Sequence, residues 1–309
     1  MNIDDILQLI HAHYGGEEKF FSEAENLARR EEKSGKEKAA QKIRMAVGKY
    51  GKKANGYTMM PLQHLPHGKD SHSPLCDIRR PTITLNDLIV PDDTILELRR
   101  VREEFKARET FKKYDLPVTN KLLLHGPPGV GKTWAGMALG GELGLDVLYT
   151  HWDSIVSSLL GSTGNNLRSL FETAAKQPII LFLDEFDAIG KERGDKQEVG
   201  ELSRVVINLL QNIDSFPGDS ILIAATNHGQ ILDSAIWRRF KVVKMGLPGP
   251  VERERLINYY SKGLPLNFSY SEWDEFTAGK SGAEIKDLIQ TEAKKVILEG
   301  INNGAATEI

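Results

Sequence analysis

The stretch "LLLHGPPGVGKT", residues 122–133, sets an apolar run directly against a turn of glycines and prolines that ends in Lys132 and Thr133. From Gly126 to Thr133 it fits the pattern G-x-x-x-x-G-K-[ST], and the residues that follow read as a helix. Glycine at 126, 129 and 131 lets backbone amides curl around a polyphosphate without Cβ clashes, while Pro127, Pro128 and Val130 fill the positions between. A helix opening here adds unsatisfied N–H groups and partial positive charge, and Trp134 falls in the same anion-binding turn. Lys132 supplies a cation for the outer phosphates, and the Thr133 hydroxyl is placed to ligate magnesium. An ordinary Gly/Pro turn with an incidental lysine would have no reason to satisfy every fixed position between a strand and a helix.

Further along, "LFLDEFDAIG" (181–190) ends a second apolar run in adjacent carboxylates. Repulsion between Asp184 and Glu185, and the cost of dehydrating each charge, oppose such an ending. A cation, or a reaction that needs a base, accounts for it. Asp184 is set to hold the water shell of the metal, and Glu185 to orient and deprotonate an attacking water. Asp187 reads as a cap for the helix that follows.

Outward from these motifs the texture is alternation. A helix over Asp92 to Tyr114 precedes the strand "KLLLHG". The strands "DVLYTHW", "PIILFLDE", "SILIAATN" and "FKVVKMGLP" are separated by the helices "NNLRSLFETAAK" and "VGELSRVVINLLQNID". Short, continuously apolar strands alternating with helices predict an α/β fold, a parallel sheet covered on both faces, spanning residues 81–248. Residues 249–309 read as a helical lid, residues 1–48 as a small helical N-terminal domain, and residues 49–80, rich in Gly, Pro, His and Ser, as a linker.

The 309 residues carry 40 basic and 43 acidic side chains, a net charge of −3, which predicts neither a dedicated nucleic-acid binder nor an acidic tail. The basic segment 41–53 favours a solvated helix end over a nucleic-acid contact. Cys76 is the sole cysteine, which excludes an internal disulfide framework. His64, His67, His72 and Cys76 have a metal-like spacing but no paired C-x-x-C element, which favours plain linker sequence. The start "MNIDDILQLI" lacks a basic n-region and a cleavage site, and no apolar segment approaches the ~20 residues that span a bilayer. These features predict a cytoplasmic protein with no membrane partner.

From about residue 84 to 300 the sequence resembles the AAA+ ATPases, within their AAA clade. Besides the two motifs above, "AATNHGQILDSAIWRRF" looks like the clade's second region of homology. The resemblance implies ATP and magnesium as cofactors, Asn227 as the sensor polarising water near the γ-phosphate, and Arg238 and Arg239 as arginine fingers acting on a neighbouring subunit. It therefore implies a homo-oligomeric ring, usually hexameric. "GKSGAEIKDLI" resembles the lid turn that puts Gly282 and Ala283 near adenine and ribose, and "LNDLIV" the segment that lays Leu88, Ile89 and Val90 beside the base. Arg204 falls in a stretch that faces the next subunit in relatives. Members that thread polypeptide carry an aromatic in the first pore loop, where this chain has Ser158 and Leu159. Leu159 either grips an extended chain through apolar contact or packs within a closed loop. The implied function is ATP-driven remodelling of protein substrates. The alternatives are a nucleotide switch that activates a separate protease or nuclease, and a nucleic-acid remodeller.

Overall fold

Strands that are apolar on both faces need a helical layer on each side, and the computed structural model shows that arrangement. It describes residues 74–150, 160–188, 199–266 and 270–302, together with Ile155 and short runs before residue 74. The strands are β1 (Lys53–Ala54), β2 (Tyr57–Met59), β3 (Cys76–Pro81), β4 (Lys121–His125), β5 (Val147–Thr150), β6 (Ile180–Leu183), β7 (Ile221–Thr226) and β8 (Lys241–Lys244). Among the described residues they form one eight-stranded sheet in the order β1-β2-β3-β5-β6-β7-β4-β8. Pairing is parallel from β5 through β8, and antiparallel where β3 joins β5 and where β1 and β2 extend the edge.

The helices are α1 (Asp92–Lys106), α2 (Arg108–Lys113), α3 (Lys132–Leu143), α4 (Leu160–Ala174), α5 (Val199–Asp214), α6 (Ser234–Trp237), α7 (Pro250–Ser261), α8 (Tyr270–Thr277) and α9 (Gly282–Asn302). Alternation along the strands feeds two cores. Leu122, Leu124, Ile180, Phe182, Ile221 and Ile223 pack with Leu98 of α1 and Ala135 and Leu139 of α3. Leu123, Leu181, Leu183, Leu222 and Ala224 pack with Leu167 and Phe171 of α4 and Leu209 and Ile213 of α5. Helices α7 and α9 share a small separate core of Leu256, Ile257, Ile285 and Ile289. No described helix is long and apolar enough to cross a membrane.

The expected linker over 49–80 contains strands of the sheet, β1 and β2 near its start and β3 at its end. Residues 76–81 are the strand β3, whose Cys76 pairs with Thr150 and whose Arg79 pairs with Val147. The "CDIRRP" run is short and charged, so it lacks the apolar signature of the inner strands. Tertiary partners hold it instead: the Arg80 guanidinium donates to both carboxylate oxygens of Asp146 at 2.9 and 3.0 Å. Cys76 is buried in the core, and burial pushes its thiol up to about 12, which suits a packing role. Among the described residues no group of three or more His, Cys, Asp or Glu could hold a metal ion; His64, His67 and His72 lie outside the described residues. The helix expected over 92–114 breaks at Ala107, with φ −89° and ψ 6°; neither glycine nor proline marks the break. Of the expected N-terminal helices only scattered positions are described, and Leu27, Ala28 and Ala40 among them are buried.

One close approach sets the spacing between α3 and the sheet. A Cβ on Gly136 would lie 2.4 Å from Cε2 of Phe182, a fully buried ring stacked on Tyr149 at 5.5 Å. Gly136→Ala should therefore destabilise the protein by about 1–3 kcal/mol through overpacking, despite alanine's better helix propensity. Thermal unfolding checks this at roughly 2–4 °C of Tm per kcal/mol for a domain of 150–250 residues. A raised Tm would show that helix propensity outweighs the contact.

Candidate active site

Strand order decides where the chemistry gathers. Because β6, β7 and β4 are parallel neighbours, their carboxyl ends lie side by side, followed respectively by Asp184, Asn227 and Gly126. The loop after β4 needs its glycines for different reasons. Gly129 and Gly131 adopt φ of +77° and +93°, the left-handed region that side chains disfavour. A Cβ on Gly126 would fall 2.0 Å from the Met245 carbonyl oxygen, because the Met245 N–H donates to His125 O at 2.8 Å.

Lys132 opens α3 and its Nζ donates to Gly126 O at 2.8 Å, Pro127 O at 2.7 Å and Asn227 Oδ1 at 2.7 Å. These are neutral acceptors around a largely buried ammonium. Burial lowers its pKa, opposed by the charges of Asp184 and Asp187. A dehydrated cation beside curled backbone amides at a helix start suits a polyanion.

Asp184 is held at both oxygens. Its Oδ2 accepts from Thr133 Oγ1 at 3.1 Å and from Tyr149 OH at 2.5 Å, while Oδ1 accepts from the Glu185 N–H at 2.9 Å. Burial, then the Asp184 hydrogen bond, pushes the Tyr149 phenol above its ordinary range, so it stays a donor. A carboxylate and a hydroxyl in contact form a hard oxygen donor set, which fits magnesium with most of its water shell retained. Glu185 is exposed at the cleft with φ of +51°, unusual for a residue with a side chain. Asp187, expected as a helix cap, instead bridges two strands. It is buried and its Oδ1 accepts from Thr226 Oγ1 at 3.1 Å, tying the end of β6 to the end of β7, from which Asn227 projects.

Lys132, Thr133, Asp184, Glu185 and Asn227 line a cleft of about 1050 Å³ between the sheet and the lid. Leu88, Ile89 and Val90 form one side, Gly282 and Ala283 another, and the Ala283 N–H donates to Gly129 O at 3.2 Å. Pro128, Val130, Thr133 and Trp134 also line it, whereas Gly126 and Pro127 contribute through carbonyls to Lys132. Sequence reasoning missed Arg79, Arg255, Tyr259, Tyr260 and Lys286 in the lining, and Tyr149 behind it. Arg79 lay inside the presumed linker. Tyr149 offered a faint signal, a hydroxyl near the end of an apolar strand.

Arg238 and Arg239 lie apart from this cleft. Arg238 is exposed and follows α6; its backbone N–H closes that helix on Ser234 O at 3.3 Å, while its guanidinium has no hydrogen-bond or ion-pair partner among the described residues. Arg239 is tied within its own chain, donating to Asp214 Oδ1 and Oδ2 at 2.7 and 2.8 Å and to Ala235 O at 2.9 Å. Ser158, Leu159 and the side chain of Arg204 lie outside the described residues.

A glycine loop fed by one parallel strand and faced by the carboxylate-bearing end of another but one defines, by fold, a P-loop nucleoside triphosphatase. Residues 122–246 match the family model of the ATPase family associated with various cellular activities (AAA). Over 298 residues the chain is 33% identical to the "Uncharacterized AAA family ATPase y4kL" of Sinorhizobium fredii, covering 96% of this chain and 89% of that one. The chain belongs to the AAA ATPase family, and it is an ATP-hydrolysing enzyme. It is also 34% identical over 236 residues to the proteasome-activating nucleotidase of Saccharolobus solfataricus, covering 73% of this chain and 60% of the relative. The chain thus spans about 60% of the length of that relative. Among solved structures, the FIGL-1 AAA domain superposes with a TM-score of 0.63 at 24% identity, covering 75% of this chain and 79% of that one. A structure describing katanin self-assembly gives 0.56 at 28%, covering 71% and 74%.

Proposed function

We propose that this chain is the subunit of a homo-oligomeric ring, hexameric by the resemblance, which couples ATP hydrolysis to the remodelling of protein substrates or complexes. The observation that carries this reading is Arg238, exposed, its guanidinium unpartnered among the described residues, and outside the lining of its own chain's cleft. A guanidinium suits charge developing on a transferred phosphoryl group, and here that charge would belong to a neighbour's nucleotide. Self-assembly of katanin and the proteasome partner named for the archaeal nucleotidases support a ring and a protein partner.

Within one cleft the roles divide by position. Lys132 meets the outer phosphates, exchanging its carbonyl partners for anionic oxygens. Thr133 and Asp184 would hold magnesium, which when bound neutralises charge on the phosphate oxygens. Glu185, unencumbered by any partner on its carboxylate among the described residues, takes a proton from water aligned for in-line attack. Asn227, fixed at the end of β7, orients that water through its amide. Leu88 to Val90, with Gly282 and Ala283, supply an apolar and backbone surface for base and ribose.

Turnover per subunit should fall steeply on dilution, because a site shared between copies is lost when they separate. Measuring specific ATPase activity across a dilution series, with size by light scattering, checks this; constant activity in a proven monomer would end the ring reading. Stimulation by an unfolded protein, and none by DNA or RNA, is expected of a protein remodeller. A second reading, a switch that activates a separate effector, draws on Leu159 standing where a threading member carries an aromatic. It predicts no stimulation by unfolded protein, and stimulation only by the cognate effector.

A further inference from the structure

Asp184 is gripped from a direction that the ATPase motifs do not account for. Tyr149, on β5, reaches across to β6 and donates its hydroxyl to Asp184 Oδ2 at 2.5 Å, the same oxygen that accepts from Thr133. The ring is fixed on both faces. Phe182 stacks against it at 5.5 Å with an interplanar angle of 15°, and the Arg79 guanidinium carbon lies 3.4 Å from its centroid. Arg79 comes from β3, an antiparallel strand outside the parallel core, and lines the nucleotide cleft beside Asp184 and Thr133. Asp77, on the same strand, forms an ion pair with Arg79 at 3.5 Å.

We propose that Tyr149 is a positioning residue for magnesium. Clamped between Phe182 and Arg79, it fixes the Asp184 carboxylate in one orientation against Thr133. A free aspartate side chain samples several rotamers, whereas an oxygen donor set for a small octahedral cation tolerates little angular error. Outer partners that orient a ligating group commonly alter metal affinity ~10–100-fold when removed. Arg79 acts one step further out, through the face of the ring, by a cation–π contact in a largely dehydrated setting. The inference rests on the proposed binding of nucleotide and magnesium in the single chain's own cleft and is independent of ring formation.

Tyr149→Phe keeps the ring, and with it the stacking on Phe182 and the contact with Arg79, while deleting only the hydroxyl. Binding of a fluorescent ADP analogue, followed by anisotropy, separates the metal from the nucleotide. In EDTA the variant should bind the analogue as the wild type does. The magnesium concentration giving half of the magnesium-dependent gain in affinity should rise by about 10-fold or more. Arg79→Ala should move that midpoint in the same direction by less, and Arg79→Lys, which retains a cation for the ring face, should fall between Arg79→Ala and wild type. An unchanged or lowered magnesium midpoint in Tyr149→Phe would overturn the proposal. So would an equal loss of analogue binding in EDTA, which would mark Tyr149 as holding the cleft rather than the carboxylate. Failure of the dilution test above would leave these readouts unaffected.

Discussion

Arg238→Ala should lower the ATPase rate by about 10³-fold, at the modest end of the range for arginine fingers, with nucleotide affinity little changed. The side chain is exposed and touches nothing in its own cleft, so its removal leaves Lys132, Thr133, Asp184 and Asn227 in place. The decisive measurement is complementation. Mixed with a Lys132→Ala chain, inactive at its own phosphate site but carrying an intact Arg238, the variant should recover part of the lost turnover. Composite sites then form with lysine from one copy and arginine from the next. No recovery in verified mixed oligomers would place the arginine's action within its own chain. Arg239→Ala should behave differently. Its guanidinium is already spent on Asp214 and the Ala235 carbonyl, so the variant should lose stability as well as rate. Asp214→Asn should reproduce that loss in part.

Glu185→Gln should leave ATP binding intact while slowing turnover by roughly 10²–10⁴-fold, the usual contribution of a positioned general base. The amide preserves size and can still orient water, but it cannot accept a proton at neutral pH. The Glu185 carboxylate is exposed at the cleft, its backbone has φ of +51°, and its N–H holds Asp184 Oδ1. One residue thus both presents the base and steadies the adjacent carboxylate. Single-turnover hydrolysis separates the chemical step from product release. A variant with unaltered single-turnover rate would transfer the base role elsewhere.

Local pattern carried most of the parallel core, because buried strands and the glycine loop depend on residues near in sequence. The C-terminal helices of the lid were equally plain, their cores repeating at helical spacing through Leu256, Ile257, Ile285 and Ile289. What escaped was built from distant pairs. The strand at 76–81 is held by Val147 to Thr150 and by Asp146, some seventy residues away, and its own composition is that of a loop. Arg79 and Tyr149 were hidden for the same reason, since their meeting depends on that pairing. Asp187 looked like a helix cap because its partner, Thr226, is supplied by another strand. Residues whose meaning is local could be assigned by type and spacing; those whose meaning is relational needed the folded sheet.

The antiparallel seam between β3 and β5 also fixes how the early part of the chain is mechanically joined to the enzyme. Cys76 lies opposite Thr150, so the point of entry into β3 adjoins the point where β5 gives way to the segment containing Leu159. A pull applied along β3 at residue 76 would be carried by its pairing with β5. It would run as shear along a ladder of backbone hydrogen bonds, which must yield together rather than in turn, and would arrive beside the carboxyl end of β5.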